Sequence, residues 1–221
     1  MSDATVQVQE QLIDVEGDGV VIPVQMRWIG TISAHPIVLL HTKRGISDHT
    51  IALADRLVRT GRTVIIPDLL ARLGGSGRPD PSAAPTARGI PRDWLVDDLR
   101  IVVQAFGEAI ESYTTIGFSH GGTLVWRLAD HDPRCTALVD VRGRPPEPDE
   151  VDVSDVSCLV ILLEGEDDDK RGAAERIIAS SRHGHLEMIS VDETVTGEDR
   201  RDLLVLETAW ELIEDWVHRH L

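Results

Sequence analysis

Ile116-Gly117-Phe118-Ser119-His120-Gly121-Gly122 is the stretch that decides how this chain folds. An apolar, β-prone run from Tyr113 to Ile116 precedes it, and a helix-like run, Thr123-Leu124-Val125-Trp126-Arg127-Leu128-Ala129, follows it. In that setting Gly117, Ser119 and Gly121 spell G-x-S-x-G, a sharp strand-to-helix turn that presents a serine at the top of a sheet. Both flanking positions call for glycine, because a Cβ at either would collide with the neighbouring strand or helix. The hydroxyl then stands at a helix N-terminus, whose N–H groups and dipole favour a developing anion. The competing reading of the same residues is a glycine-rich turn with a buried serine.

Outward from this turn, strands alternate with helices, which predicts an α/β fold with a mostly parallel twisted sheet and helices on both faces. Val6 to Val15 and Val20 to Ile29 read as an antiparallel pair around Gly17-Asp18-Gly19. Pro36 to Leu40 and Arg62 to Pro67 read as buried strands. Between them Ser47-Asp48 caps a helix with an apolar face at Ile51, Ala54, Leu57 and Val58. Trp94 to Ile110 reads as a helix, Thr136 to Val141 and Ser157 to Leu163 as strands, Asp169 to Ser181 as a helix and His185 to Val191 as the last strand. Asp199 to His220 reads as a closing helix, apolar at Leu206, Trp210, Ile213, Trp216 and Val217. The irregular stretches 71–91 and 142–156 have the length of loops that frame a pocket. No repeat or linker divides the chain, so 1–221 is expected to form a single domain.

The chain has 221 residues and a formal net charge of -16, which argues against nucleic acid and anionic membranes as partners. Hydrophobic residues make up 42%, an ordinary share for a soluble globule, and no apolar run is long enough to span a bilayer. The polar start, Met1-Ser2-Asp3-Ala4, does not read as a secretory leader. Cys135 and Cys158 do not suggest a disulfide framework, and the expected setting is cytoplasmic. There is no metal-ligand spacing and no dinucleotide fingerprint, so neither metal nor cofactor is expected. The expected partner is a small-molecule substrate, in a protein that could pair as a homodimer.

Several segments resemble the dienelactone hydrolases. They are Ile37-Val38-Leu39-Leu40-His41 followed by Gly45, then Ile51-Ala52-Leu53-Ala54-Asp55-Arg56-Leu57, then Gly61 through Ile66-Pro67-Asp68-Leu69. The double glycine Gly121-Gly122 and the run Leu162-Leu163-Glu164-Gly165-Glu166-Asp167-Asp168 fit as well. The resemblance covers about residues 20–70 and 95–170 and fades in the last fifth of the chain. It implies an α/β-hydrolase fold, an enzyme opening small esters or lactones, and a nucleophile–acid–histidine triad in which the nucleophile is usually cysteine.

This chain departs from that pattern. Serine occupies the nucleophile position, and it needs a base more than a thiol does. Thr42 replaces the acid that, in the family it resembles, usually follows the histidine at the position of His41. The spacing from Gly165 selects Asp168 as the triad acid, with Asp167 and Asp169 as neighbours and a solvated helix start as the plain alternative. The histidine belongs in the loop after the last strand. That loop, Val191-Asp192-Glu193-Thr194-Val195-Thr196-Gly197-Glu198, contains none. His120 and His41 are the substitutes nearest the elbow, though His41 also reads as structural. A desolvated carboxylate among Asp192, Glu193 and Glu198 is another. The backbone N–H groups of His120 and of Thr42 or Lys43 are the expected oxyanion hole. Lys43, Arg44, Arg78 and Arg88 are candidates to hold an anionic group of the substrate, with Arg72, Arg92, Arg142 and Arg144 nearby; the plain alternative is exposed arginines on an acidic protein.

Three functions remain open on the sequence: a serine hydrolase of a small ester or lactone with an unusual base, a non-hydrolytic cyclase, lyase or isomerase on the same fold, and a binding protein. A complete elbow disfavours the last, because strained backbone is costly to keep without use.

Overall fold

Asp18 and Gly19 reverse the chain with positive φ of 48° and 73°. This is the turn geometry that Asp-Gly favours, because its twist matches that of paired strands. It joins β1 (Gln9–Gly17) to β2 (Val20–Trp28) in antiparallel register. The computed structural model describes residues 7–76, 87–163, 168–180, 186–191 and 210–219. The remaining strands are β3 (Ile37–Leu40), β4 (Val64–Pro67), β5 (Tyr113–Phe118), β6 (Cys135–Val141), β7 (Ser157–Leu163) and β8 (Leu186–Val191). They form one eight-stranded sheet in the order β1-β2-β4-β3-β5-β6-β7-β8. Only the pairings of β2 with β1 and β4 are antiparallel.

The helices are α1 (Asp48–Leu57), α2 (Arg92–Ala105), α3 (His120–His131), α4 (Asp168–Ser180) and α5 (residues 210–219). One apolar cluster joins the sheet to α2, α3 and α4, and a second joins the opposite face to α1 and α5. Val38 and Leu40 belong to the first, Ile37 and Leu39 to the second. A strand covered on both faces is therefore apolar throughout, and β3, β4 and β5 are buried at every position.

Most elements fall where the sequence puts them, with shifted ends. Ser47 caps α1 through a reciprocal pair: its Oγ accepts from Thr50 N at 3.3 Å, and Thr50 Oγ1 accepts from Ser47 N at 3.3 Å. Helix α2 stops at Ala105 rather than Ile110, because Gly107 takes φ 52° and the chain tightens into a single 3-10 turn, Gly107–Ala109. Of the expected closing helix, residues 210–219 are described, with Trp210, Ile213, Trp216 and Val217 buried; Leu206 lies outside the described residues. No helix among the described residues is long and apolar enough to cross a membrane.

The strand order reverses between β3 and β5: from β3 the sheet proceeds to β4 on one side, and from β5 to β6 on the other. In open α/β sheets this switch point opens a crevice at the carboxyl ends of the strands. The segments that leave these two strands are His41-Thr42-Lys43 and Ser119-His120.

Candidate active site

Ser119 is exposed between β5 and α3, at φ 54° and ψ -105°. A non-glycine residue with positive φ is strained, and the surroundings explain how it is held. Its backbone N–H donates to Val141 O at 2.8 Å, and its carbonyl accepts from Thr123 N at 3.2 Å. A Cβ on Gly117 would overlap the carbonyl of Gly121. A Cβ on Gly121 would lie 2.5 Å from Leu40 O and 2.7 Å from His41 O. The glycines thus let α3 press against the end of β3, which brings the serine beside the His41 loop.

His120, half-buried, is the first residue of α3, where backbone N–H groups have no intrahelical acceptor. Opposite it, Thr42 and Lys43 are half-buried, and their backbone N–H groups donate to no acceptor among the described residues. The Thr42 carbonyl is occupied: it accepts from Gly45 N at 3.2 Å and from His41 Nδ1 at 2.7 Å.

His41 corrects an expectation. It was a candidate base, yet it is 1% exposed and both ring nitrogens are committed. Nδ1 donates to Thr42 O, and Nε2 accepts from Leu69 N at 2.9 Å, which assigns the Nδ1–H tautomer. The ring ties the end of β3 to the end of β4 and has no lone pair left for a serine proton.

Asp68, quoted above only as part of a motif, is the centre of this support. It is 4% exposed, and Oδ1 accepts from Leu70 N at 2.9 Å and Ser76 Oγ at 2.6 Å, while Oδ2 accepts from Ser76 N at 2.5 Å. Ser76 Oγ in turn accepts from Ile46 N at 3.1 Å, so one carboxylate anchors the loops after both β3 and β4. Burial alone would raise its pKa. The donors of Ser76 and Leu70 outweigh that and hold it down from 3.8 to about 2. A folded-state value below the unfolded one stabilises the fold above pH 4, and the contribution is lost as pH falls toward 2. Asp68→Asn is expected to lose about 2 kcal/mol at pH 7, read from the urea midpoint, with the difference from the parent vanishing near pH 2. An equal deficit at both pH values would contradict this account.

The other candidates are dispersed. Asp168 is exposed in the first turn of α4. Arg44 is exposed beside Lys43. Arg78 and the Arg88 side chain lie outside the described residues, although Ala87 N donates to Lys43 O at 3.1 Å and so brings the chain near Arg88 to this loop. Arg72 is not free to clamp a substrate: it holds Asp98 with two hydrogen bonds of 2.8 and 2.7 Å and stacks on Trp94 at 5.1 Å. Arg142 is half-buried and Arg144 exposed at the end of β6.

A cavity of about 480 Å³ lies elsewhere, lined by Asp130, Asp149, Glu150, Asp152, Ile177 and Ser180. Asp130 is near the far end of α3, roughly 16 Å along the helix from Ser119. Its wall is acidic, and it stands at the opposite end of α3 from the strained serine. Sequence reasoning also missed Asp140, fully buried in β6, whose signal was a lone charge inside the apolar run Cys135–Val141.

The fold is similar to that of solved enzymes over nearly the whole chain. A dienelactone hydrolase from Anabaena variabilis is 17% identical with a TM-score of 0.69, covering 97% of this chain and 99% of its own. An esterase from Pyrococcus furiosus is 14% identical with a TM-score of 0.69, covering 100% and 96%. A dienelactone hydrolase-like promiscuous phosphotriesterase from metagenomic libraries is 12% identical with a TM-score of 0.65, covering 95% and 98%. At these identities the likeness shows the fold. No curated protein sequence matches. The sequence profile of the dienelactone hydrolase family matches residues 27–184, well over half of the chain, and the chain belongs to that family.

Proposed function

We propose that the protein is a hydrolase of a small ester, lactone or related acyl substrate, with Ser119 as nucleophile. The observation that carries this reading is the exposed Ser119 in a strained turn at the switch point of the sheet. Its Oγ attacks the carbonyl carbon. The oxyanion forms against the N–H of His120 and of Thr42 or Lys43, with the N-terminus of α3 adding its dipole. Lys43, Arg44, Arg142 and Arg144 give this rim positive charge in a chain of net -16, which suits a substrate bearing a carboxylate or an enolate.

The proton of Ser119 needs an acceptor. His41 is committed, and the stretch 191–198 carries Asp192, Glu193 and Glu198 but no histidine. His120 and these carboxylates are the remaining candidates. Without a complete relay, turnover of neutral p-nitrophenyl esters is expected to fall on the order of 10⁴-fold below that of an intact triad. A panel of neutral p-nitrophenyl esters and anionic lactones tests both points: the anionic lactones should be preferred. Brisk neutral-ester hydrolysis, abolished by Ser119→Ala, would reveal an efficient base, and His120 would be replaced first.

The missing histidine also favours a second reading, in which the same oxyanion hole stabilises an enolate in a cyclase, lyase or isomerase. That enzyme would turn over its substrate without a covalent Ser119 intermediate.

A further inference from the structure

Asp140 lies one residue before the end of β6, opposite Gly117 in the β5–β6 register. It is 0% exposed in a stretch of sheet that is otherwise apolar, with Leu138 on its own strand and Val160 and Leu162 on the next. A carboxylate buried there carries a desolvation cost that an apolar residue of similar size would avoid, unless each oxygen finds a donor. Both do. Oδ1 accepts from Gly143 N at 2.6 Å, and Oδ2 accepts from Trp126 Nε1 at 2.8 Å. Trp126 is itself 0% exposed, in the second turn of α3.

These two bonds join the elbow helix to the segment that follows β6. That segment lies against Ser119 along its length. Val141 O accepts the Ser119 N–H at 2.8 Å. Gly143 Cα comes within 3.0 Å of where a Cβ on Gly122 would sit, and a Cβ on Gly143 would overlap Gly122 and the Asp140 carboxylate. Arg144 N donates to Thr123 Oγ1 at 3.0 Å, and Thr123 Oγ1 donates to Ser119 O at 3.4 Å. Arg142, between them, takes φ 58°, a left-handed conformation that a non-glycine residue keeps only when its surroundings impose it. The Ser119 peptide is therefore gripped by residues 141–144, and Asp140 is the group that fastens 143 to α3.

We propose that Asp140, with Trp126 as its partner, is a positioning residue of the nucleophile elbow: it fixes the direction of the Ser119 hydroxyl and of the His120 N–H by clamping the 142–144 segment onto the first turn of α3. The inference rests on Ser119 being the nucleophile, and it adds a residue that touches no substrate. An amide at 140 has one oxygen and one NH₂, so it can satisfy the Gly143 N–H or the indole N–H but not both. Trp126→Phe removes the indole donor and keeps an aromatic side chain, smaller by the pyrrole half of the indole.

The test is the saturation kinetics of a fluorophosphonate probe, which phosphonylates Ser119 Oγ with loss of fluoride. It is run on the full chain, on Asp140→Asn and on Trp126→Phe, with the urea midpoint of each. The expected result is a maximal labelling rate at least 10-fold lower in Asp140→Asn and several-fold lower in Trp126→Phe, with the half-saturating probe concentration within twofold of the parent. A purely structural role would shift the urea midpoint and leave the labelling rate of the folded fraction unchanged, and that result would overturn the proposal. If Asp140→Asn does not fold, Trp126→Phe decides: a labelling rate equal to the parent's overturns it. Failure of the parent chain itself to label would instead sink the nucleophile reading, and this inference with it.

Discussion

Ser119→Ala is expected to abolish turnover of the native ester or lactone, by a factor on the order of 10⁴ or more, with the substrate still bound. The argument is geometric. The serine is exposed at the switch point of the sheet, and its strained backbone is held by Val141 O and by the glycines on either side. Removing Oγ leaves the N–H groups of His120 and the 42–43 loop intact, so residual activity measures what the proposed oxyanion hole contributes by itself. The non-hydrolytic reading expects a loss within about 10-fold, because those N–H groups would do the chemistry. A single-turnover measurement separates the two, since only the nucleophile predicts a covalent acyl intermediate and its disappearance in the variant.

Gly121→Ala is expected to destabilise the fold by about 3 kcal/mol, at the upper end of over-packing penalties, although alanine is the better helix former. The new methyl would stand 2.5 Å from Leu40 O and 2.7 Å from His41 O. Both are main-chain atoms at the end of a buried strand, tied down through His41 and Asp68, so neither side can yield cheaply. Whatever relief is found must move α3 away from β3, which separates His120 from the Thr42-Lys43 loop. The urea midpoint and the esterase rate should fall together. A variant as stable and as active as the parent would show that the close approach of α3 to β3 is not what holds the elbow.

The parts of this structure that could be read in the sequence are those whose chemistry is local. The elbow announces itself through two glycines around a serine, and the hairpin through Asp18-Gly19. The central strands appear as apolar runs because both faces of the sheet are covered. The candidate residues Ser119, His120, Thr42 and Lys43 follow the ends of β3 and β5, and the sheet order makes those ends neighbours. What could not be read depends on partners distant in the chain. For His41 the sequence leaves a base and a structural role both open, because its bond to Leu69, 28 residues on, is invisible there. In the sequence Asp68 is an ordinary motif residue and Asp140 an ordinary strand residue, because the buried donors that hold them come from other parts of the chain. Spacing from Gly165 points to Asp168, but an acid's role is set by the histidine it orients, and no such histidine is encoded in the expected loop.

The central claim is that Ser119 is a nucleophile. Its most direct test is to expose the protein to a fluorophosphonate probe and locate the adduct by peptide mass. The account predicts a single adduct on the peptide containing Gly117-Phe118-Ser119, absent in Ser119→Ala and suppressed by competing substrate. Turnover of the native substrate by a protein whose Ser119 never labels, or an adduct on any other residue, would contradict it.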